Sequence, residues 1–287
     1  MPYAVQFYGN FFIHGWPYDR FGRALAPGPS GGCIRMNTAD ARIIFEFAER
    51  GMPVLVFEEK EVLPLPALLP LDEMVSAPDV KSRNFLVADL DTGEIVLSKG
   101  ANSEIYAGPA VRAMMALSAS EIVNLEKRIA ARSWMFEGAR EGIIIPGRYY
   151  RGHDLLYPLL LRSSREAAMV LARFFTPEYF VAAMNAKARA IGMKNTFFAD
   201  ITGDSQESGT TLYDLAKMMR YTKEYRGFIL GITRELRGPG ETILAVPEMN
   251  TPDGKKRTIF IALANSEDIE KDFEATLIWL KENLGLN

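Results

Sequence analysis

The sequence predicts two domains: a small, mostly-β unit with one helix, then a larger α+β unit. Three observations lead there. Residues 58–82, "EEKEVLPLPALLPLDEMVSAPDVKS", hold Pro64, Pro66, Pro70 and Pro78. Proline at that density disrupts helix and central strand alike, so this stretch reads as a loosely packed linker. Before it lie short aromatic and β-branched runs and one capped helical segment. After it, strand patterns at the two ends enclose helical patterns, the order of an α+β unit. The expected domains are therefore 1–57 and 83–287.

In the first unit, "YAVQFY" and "FFIHG" read as strands. "GPSGGC" is loop by its glycines and proline. "NTADARIIFEFAERG" reads as a helix with Asn37 as N-cap, Asp40 in capping-box position and Gly51 as its stop. Ile44 and Phe47 are expected on its buried side. "PVLVF" closes the unit as a short buried strand.

In the second unit, "NFLVADLDTGEIVLSKG" has alternating runs around Asp91-Thr92-Gly93, a hairpin signal. "SSREAAMVLARFF" places Ala167, Leu171 and Phe174 on one helical face. "TPEYFVAAMNAKARAIG" has Thr176 as N-cap, Pro177 at the first helical position and Gly192 as stop, with Phe180, Met184 and Ile191 inward. Thr211 and Asp214 form a capping box in "TTLYDLAKMMRY". "RTIFIALAN" reads as a buried strand and "DFEATLIWLKENL" as a closing helix.

Composition narrows the function. The chain has 287 residues, 48 % of them hydrophobic, and a net charge of −3. That balance gives no reason to expect nucleic acid or an anionic membrane as the main partner. No apolar run approaches the roughly 18 residues of a transmembrane helix. "MPYAVQFYGNFF" has neither the basic start nor the cleavage pattern of a signal peptide. One cysteine cannot form an internal disulfide, and one cysteine with two histidines supplies no usual zinc set.

The stretch "FIHGWPYDRFGRALAPGPSGGCIRM", residues 12–36, holds the only cysteine and one of the two histidines. A nucleophilic cysteine needs a base, oxyanion donors and access. His14 at a strand end, a glycine-rich turn before Cys33 and the charge of Arg35 could supply these. A lone cysteine is also commonly a small buried hydrophobe, so both readings stand on the residues alone. His153 in "RGHDLL" reads as a polar residue near a helix start, and Ser163 and Ser164 as helix-start caps.

"AVQFYGNFFIHGWPYDRFG…SGGCIRMNTADA" resembles the catalytic core of the L,D-transpeptidases (YkuD domain) over residues 3 to about 57. The resemblance implies Cys33 as nucleophile and His14 as the base that activates it. It implies Ser30, Gly31 and Gly32 as the oxyanion loop, and Arg35 as the group positioning that loop or a substrate carboxylate. Where the family has a histidine before Gly-Cys, this chain has Gly31. The family domain also has strands upstream of "AVQFYG", which implies that Met1 is internal to a longer or truncated domain. A sheet without those strands is expected to expose apolar surface.

Residues 83 to 287 are similar to the D-alanyl-D-alanine carboxypeptidases, the low-molecular-mass penicillin-binding proteins. The similarity implies a serine β-lactamase-like α+β fold. The motifs it calls for are altered. "YAGPAVRAMMAL" has Pro109 and Arg112 in the places of the Ser and Lys of Ser-x-x-Lys. Ser-x-Asn reads Ser163-Ser164-Arg165, and no Lys-Thr-Gly occurs near "GETILAVPEMNTPDGKKRTIFIALAN". Proline offers no nucleophile and arginine no base at neutral pH.

Together the resemblances imply a peptidoglycan cross-linking enzyme joined to a carboxypeptidase-like domain without hydrolase chemistry. Its partners would be stem peptides, its place outside the cytoplasmic membrane, and the resemblance implies no metal or organic cofactor. A non-enzymatic wall-binding or scaffold protein is the alternative, and a surviving D-alanyl-D-alanine carboxypeptidase a third.

Overall fold

The computed structural model describes the chain except residues 9, 27, 29, 50, 51, 53, 55–76, 137–140, 174 and 239–241. It divides into two compact units, Met1–Val56 and Phe57–Asn287.

The first unit is a three-stranded sheet with one helix. Strand β1 (Val5–Tyr8) pairs antiparallel with β2 (Phe11–Gly15), and β2 pairs parallel with β3 (Ile34–Met36). Helix α1 (Thr38–Phe47) follows directly, and Asn37 caps it by accepting from the Asp40 N–H at 2.8 Å. The expected inward pair is corrected. Ile44 is half-buried, Phe47 is 70 % exposed, and the fully buried residue of the helix is Ala41. The reason is area: three short strands present too narrow a face to cover a wider stripe, so Ile43 and Phe45 are exposed too. Ala48 turns to extended backbone and ends the helix. The expected stop, Gly51, and most of the "PVLVF" strand lie outside the described residues, as do Pro64, Pro66 and Pro70.

The second unit opens with the expected hairpin, β4 (Asn84–Asp89) and β5 (Ile95–Lys99). Gly93 sits at φ +80°, and the Asp89 carboxylate holds the turn by accepting from the Asp91 and Thr92 N–H groups. Next come β6 (Ile105–Tyr106), α2 (Gly108–Ile122), β7 (Arg128–Ala130), β8 (Tyr149–Arg151), α3 (Gly152–Leu161), α4 (Arg165–Ala172) and α5 (Pro177–Ala190). Then follow β9 (Gly209–Thr210), α6 (Leu212–Arg226), α7 (Phe228–Ile232), β10 (Glu235–Arg237), β11 (Thr242–Ala245), β12 (Glu248–Asn250), β13 (Lys256–Ala264) and α8 (Ile269–Leu284).

The main sheet runs β10-β11-β13-β4-β5, all antiparallel, with β12 on β13. Both faces of its central strands are covered. Phe85, Val87, Ile261 and Leu263 pack with Trp279 and Leu280 of α8. Leu86, Ala88, Phe260 and Ala262 join a larger core with the helices α2 to α6. Two-sided burial explains why β13 reads as an unbroken apolar run rather than an alternating one.

Helix caps follow the sequence. Ser164, Thr176 and Thr211 each accept from the N–H three residues on, at 3.2, 3.3 and 3.1 Å. Ala167, Leu171, Phe180, Met184 and Ile191 are buried as expected; Phe174 lies outside the described residues. His153 is the second residue of α3 and half-buried, its ring 5.6 Å from that of Tyr157. A buried ion pair, Glu121 with Lys187, joins α2 to α5, and the Tyr221 hydroxyl donates to Glu121 at 3.0 Å from α6.

The end of the proline-rich stretch is not loose. Ser82 is fully buried, and the Asp272 carboxylate on α8 accepts from the Lys81 N–H, the Ser82 N–H and hydroxyl, and the Ser266 hydroxyl at 2.6 to 2.9 Å. Burial alone would raise the pKa of Asp272; these donors carry it below the ordinary value. A depressed folded pKa means the stabilisation is complete above the ordinary carboxylate range and is lost as pH falls through the folded value. Asp272→Ala is expected to cost about 3 kcal/mol at neutral pH. The difference from the unaltered protein should shrink in urea melts at acid pH.

Candidate active site

In the first unit, the parallel register sets His14 opposite Arg35 and Ile13 opposite Ile34. Cys33 immediately precedes β3, and the register puts the paired Arg35 and His14 on one side of the sheet. This strand pairing brings a residue from position 14 next to the 33–35 segment. Sequence reading gave no strand at 34–36, because three residues carry too little pattern.

His14 is buried, and its Nδ1 lies 2.7 Å from the Gly15 carbonyl oxygen. A carbonyl only accepts, so Nδ1 carries the proton and Nε2 is the basic nitrogen. Cys33 is half-buried, with Sγ 3.9 Å from the Asn10 carbonyl oxygen. Among the described residues no hydrogen bond joins Cys33 to His14.

The turn ahead of Cys33 is built for close approach. Gly31 and Gly32 have φ of +67° and +126°. A Cβ on Gly32 would lie 2.3 Å from the Phe11 ring, so no side chain fits there. The Gly32 N–H donates to the Ser30 hydroxyl at 3.3 Å and closes the turn. Arg35 points back: its Nη1 donates to the Gly28 carbonyl at 2.9 Å, and its guanidinium lies 5.9 Å from the Trp16 ring centroid. In this arrangement Arg35 braces the 16–28 loop.

In the second unit, Pro109 and Arg112 occupy the first turn of α2, which is buried from Gly108 to Ala119. The Arg112 Nη2 donates to the Arg237 carbonyl of β10 at 2.7 Å, and its Nε is buried without a partner. Burial pulls the Arg112 pKa below the usual arginine value, with Tyr106 and Asp204 opposing that shift. Strand β10, followed by Gly238, is the sheet edge beside Pro109. It reads Glu-Leu-Arg-Gly and was not recognised from sequence.

The third edge of this cleft is Ser163–Glu166. Ser163 has φ +53°, Ser164 is taken up by capping α4, and Arg165 Nε lies 3.0 Å from the Asp204 carboxylate. The Glu166 carboxylate accepts four N–H groups, from Glu141, Gly142, Ile143 and Ile144, and so fixes the neighbouring loop. Burial pushes its pKa up, but those four donors hold it below the ordinary value. Opposite, Tyr106 donates to the Gly203 carbonyl, and the Asp200 carboxylate accepts from the Gly203, Asp204 and Ser205 N–H groups. Pro109 thus stands in the first turn of α2, and Arg112 and Arg165 are engaged by the Arg237 carbonyl and the Asp204 carboxylate. Tyr106, Asp200 and Asp204 were missed in the sequence; the Asp-x-x-Gly turn at 200–203 was the available signal.

Comparison with known proteins finds a family for each unit. Residues 72–237 match the family model for D-alanyl-D-alanine carboxypeptidases, and residues 1–56 that for the L,D-transpeptidase catalytic domain (YkuD). D-alanyl-D-alanine carboxypeptidase DacB2 of Mycobacterium tuberculosis is 28 % identical over 151 residues, 51 % of this chain and 52 % of that protein. A D-alanyl-D-alanine endopeptidase of Escherichia coli is 29 % identical over 160 residues, 52 % of this chain and 50 % of its own. The chain therefore spans about half the length of these curated relatives. Among solved structures, a D-alanyl-D-alanine carboxypeptidase from Mycobacterium tuberculosis has a TM-score of 0.63 at 22 % identity, covering 72 % of this chain and 93 % of that one. A Streptomyces DD-transpeptidase mutant has a TM-score of 0.60 at 17 % identity, covering 71 % and 98 %. With more than half of its length matched and the penicillin-binding-protein fold present around α2, the chain belongs to the D-alanyl-D-alanine carboxypeptidase family and carries an L,D-transpeptidase segment ahead of it.

Proposed function

We propose that the chain is a peptidoglycan L,D-transpeptidase whose carboxypeptidase-like unit no longer hydrolyses. The observation that carries this reading is the β2–β3 register, which sets His14, with Nε2 as its basic nitrogen, beside the segment bearing Cys33. In the proposed reaction His14 takes the thiol proton and Cys33 attacks the carbonyl of the third residue, a diamino acid, in a donor stem peptide. The sulfur–carbon bond forms, the carbon–nitrogen bond breaks, and the proton leaves with D-alanine through His14. The turn from Ser30 to Gly32 surrounds the developing oxyanion. The side-chain amine of an acceptor stem then attacks the thioester, restoring the thiol and leaving a cross-link between two third residues. Arg35 supports the loop over the site. Neither step calls for a metal or organic cofactor, and stem peptides as substrate place the working protein outside the cytoplasmic membrane.

A wall-binding role without turnover is the second reading. It is favoured by the Cys33 thiol resting on the Asn10 carbonyl rather than on His14. Catalytic hydrogen bonds are often long before substrate arrives, which keeps the first reading ahead.

Incubation with a carbapenem is expected to give one covalent adduct by intact mass, absent in Cys33→Ala. His14→Gln should slow its formation by about 100-fold or more. Persistence of the adduct in Cys33→Ala would sink the proposal; binding to purified peptidoglycan without any adduct would favour the second reading. No D-alanine release from a pentapeptide stem is expected, given Pro109 and Arg112. Because the buried charge of Arg112 is hydrogen-bonded to a neutral backbone carbonyl, Arg112→Met should be neutral or stabilising by about 1 kcal/mol in a thermal melt.

A further inference from the structure

A cavity of about 490 Å³ lies in the second unit beside β6 and β9, and its lining residues are not those of the cleft at the start of α2. Its floor follows from strand pairing. Gly209 is paired with Tyr106 of β6 on one side and with Phe197 on the other. The Phe197 N–H donates to the Gly209 carbonyl at 2.8 Å, and the Gly209 N–H donates back at 3.0 Å. Directly paired residues share a face, so the Phe197 ring stands beside a position with no side chain. A Cβ on Gly209 would lie 2.4 Å from Glu104 Oε1, which puts the Glu104 carboxylate on that face too. The ring is 55 % exposed although it lines the cavity. The charged lining is Glu104, Glu207 and Lys194, all exposed. Among the described residues no ion pair engages any of the three. Glu207 lies on the middle segment, with Lys194 and Glu104 on the outer two, whose backbones two strand spacings set roughly 10 Å apart.

We propose that this face binds a linear amino acid that carries a second, terminal ammonium group. Its carboxylate sits on Lys194, the neighbouring ammonium on Glu207 and the terminal ammonium on Glu104. The methylene chain between them crosses Gly209 against the Phe197 ring. Two carboxylates and one ammonium in the lining are the charge complement of two ammonium groups and one carboxylate in the ligand. Methylene groups cover an aromatic face that otherwise stands in water, and the glycine leaves room for them. The positive and negative edges lie on opposite sides of the middle segment, which suits a ligand with charge at both ends rather than a compact cation. The proposal is independent of catalysis at Cys33.

The test is calorimetric titration of the full chain with lysine, with norleucine, which lacks the terminal ammonium, and with cadaverine, which lacks the carboxylate. Saturable lysine binding that weakens with salt is expected, with norleucine and cadaverine each bound about fivefold more weakly. Glu104→Gln should weaken lysine binding by about fivefold and leave norleucine unchanged. Lys194→Gln should weaken lysine binding and leave cadaverine unchanged. Both side chains are exposed, so unaltered melting of the variants separates lost binding from lost folding. Absence of saturable binding overturns the proposal. So does norleucine binding as tightly as lysine, or lysine binding unaltered by Glu104→Gln. Cadaverine binding as tightly as lysine would leave Lys194 without its role and overturn the amino-acid assignment.

Discussion

Helix α2 is buried on every side through three turns, and the carboxypeptidase-like unit is organised by that constraint. A helix apolar all round has no solvent face, so other elements must enclose it. Helices α3 to α6 and the edge of the main sheet do so, and the same enclosure fixes the cleft at its first turn. In this family the first turn of such a helix is where chemistry is expected. Here it holds a proline, which offers no side-chain nucleophile, and an arginine, whose long side chain reaches the β10 carbonyl. The fold encloses this first turn, and its arginine is bonded to the protein itself.

The L,D-transpeptidase segment shows the opposite balance. It holds a buried imidazole in a defined tautomer, a half-buried thiol and a turn that admits only glycine at position 32. Its packing is thin. Among its described residues the buried hydrophobic side chains are Ile13 and Ala41, while Ile43, Phe45 and Phe47 are exposed on α1. The two units therefore differ in packing, one enclosing a large core and the other a small one.

Much of this was legible in the residues. Caps at Asn37, Thr176 and Thr211 are local chemistry: an acid three residues on marks the first and third, and a proline directly after marks the second. Strands β4, β5 and β13 are long enough to show their patterns. The failures share a cause, which is that they depend on a distant neighbour. Strand β3 exists because β2 lies beside it, and β10 because β11 does. Phe47 carries the right helical period for burial, but period cannot tell whether a surface is present to receive it. Ser82 looks like linker until Asp272, far along the chain, binds it. The site followed the same division. His14 and Cys33 were marked by residue type and resemblance, whereas the Arg165–Asp204 and Arg112–Arg237 contacts needed the fold.

The clamp of Ser82 on Asp272 has a mechanical consequence. Tension entering the second unit through residues 77–80 meets these hydrogen bonds before it reaches the β4–β13 ladder. Several bonds converging on one carboxylate share such a load, and the carboxylate stands on a sixteen-residue helix packed across the sheet. A pull arriving at residue 81 therefore loads the Asp272 clamp first and strand β4 after it.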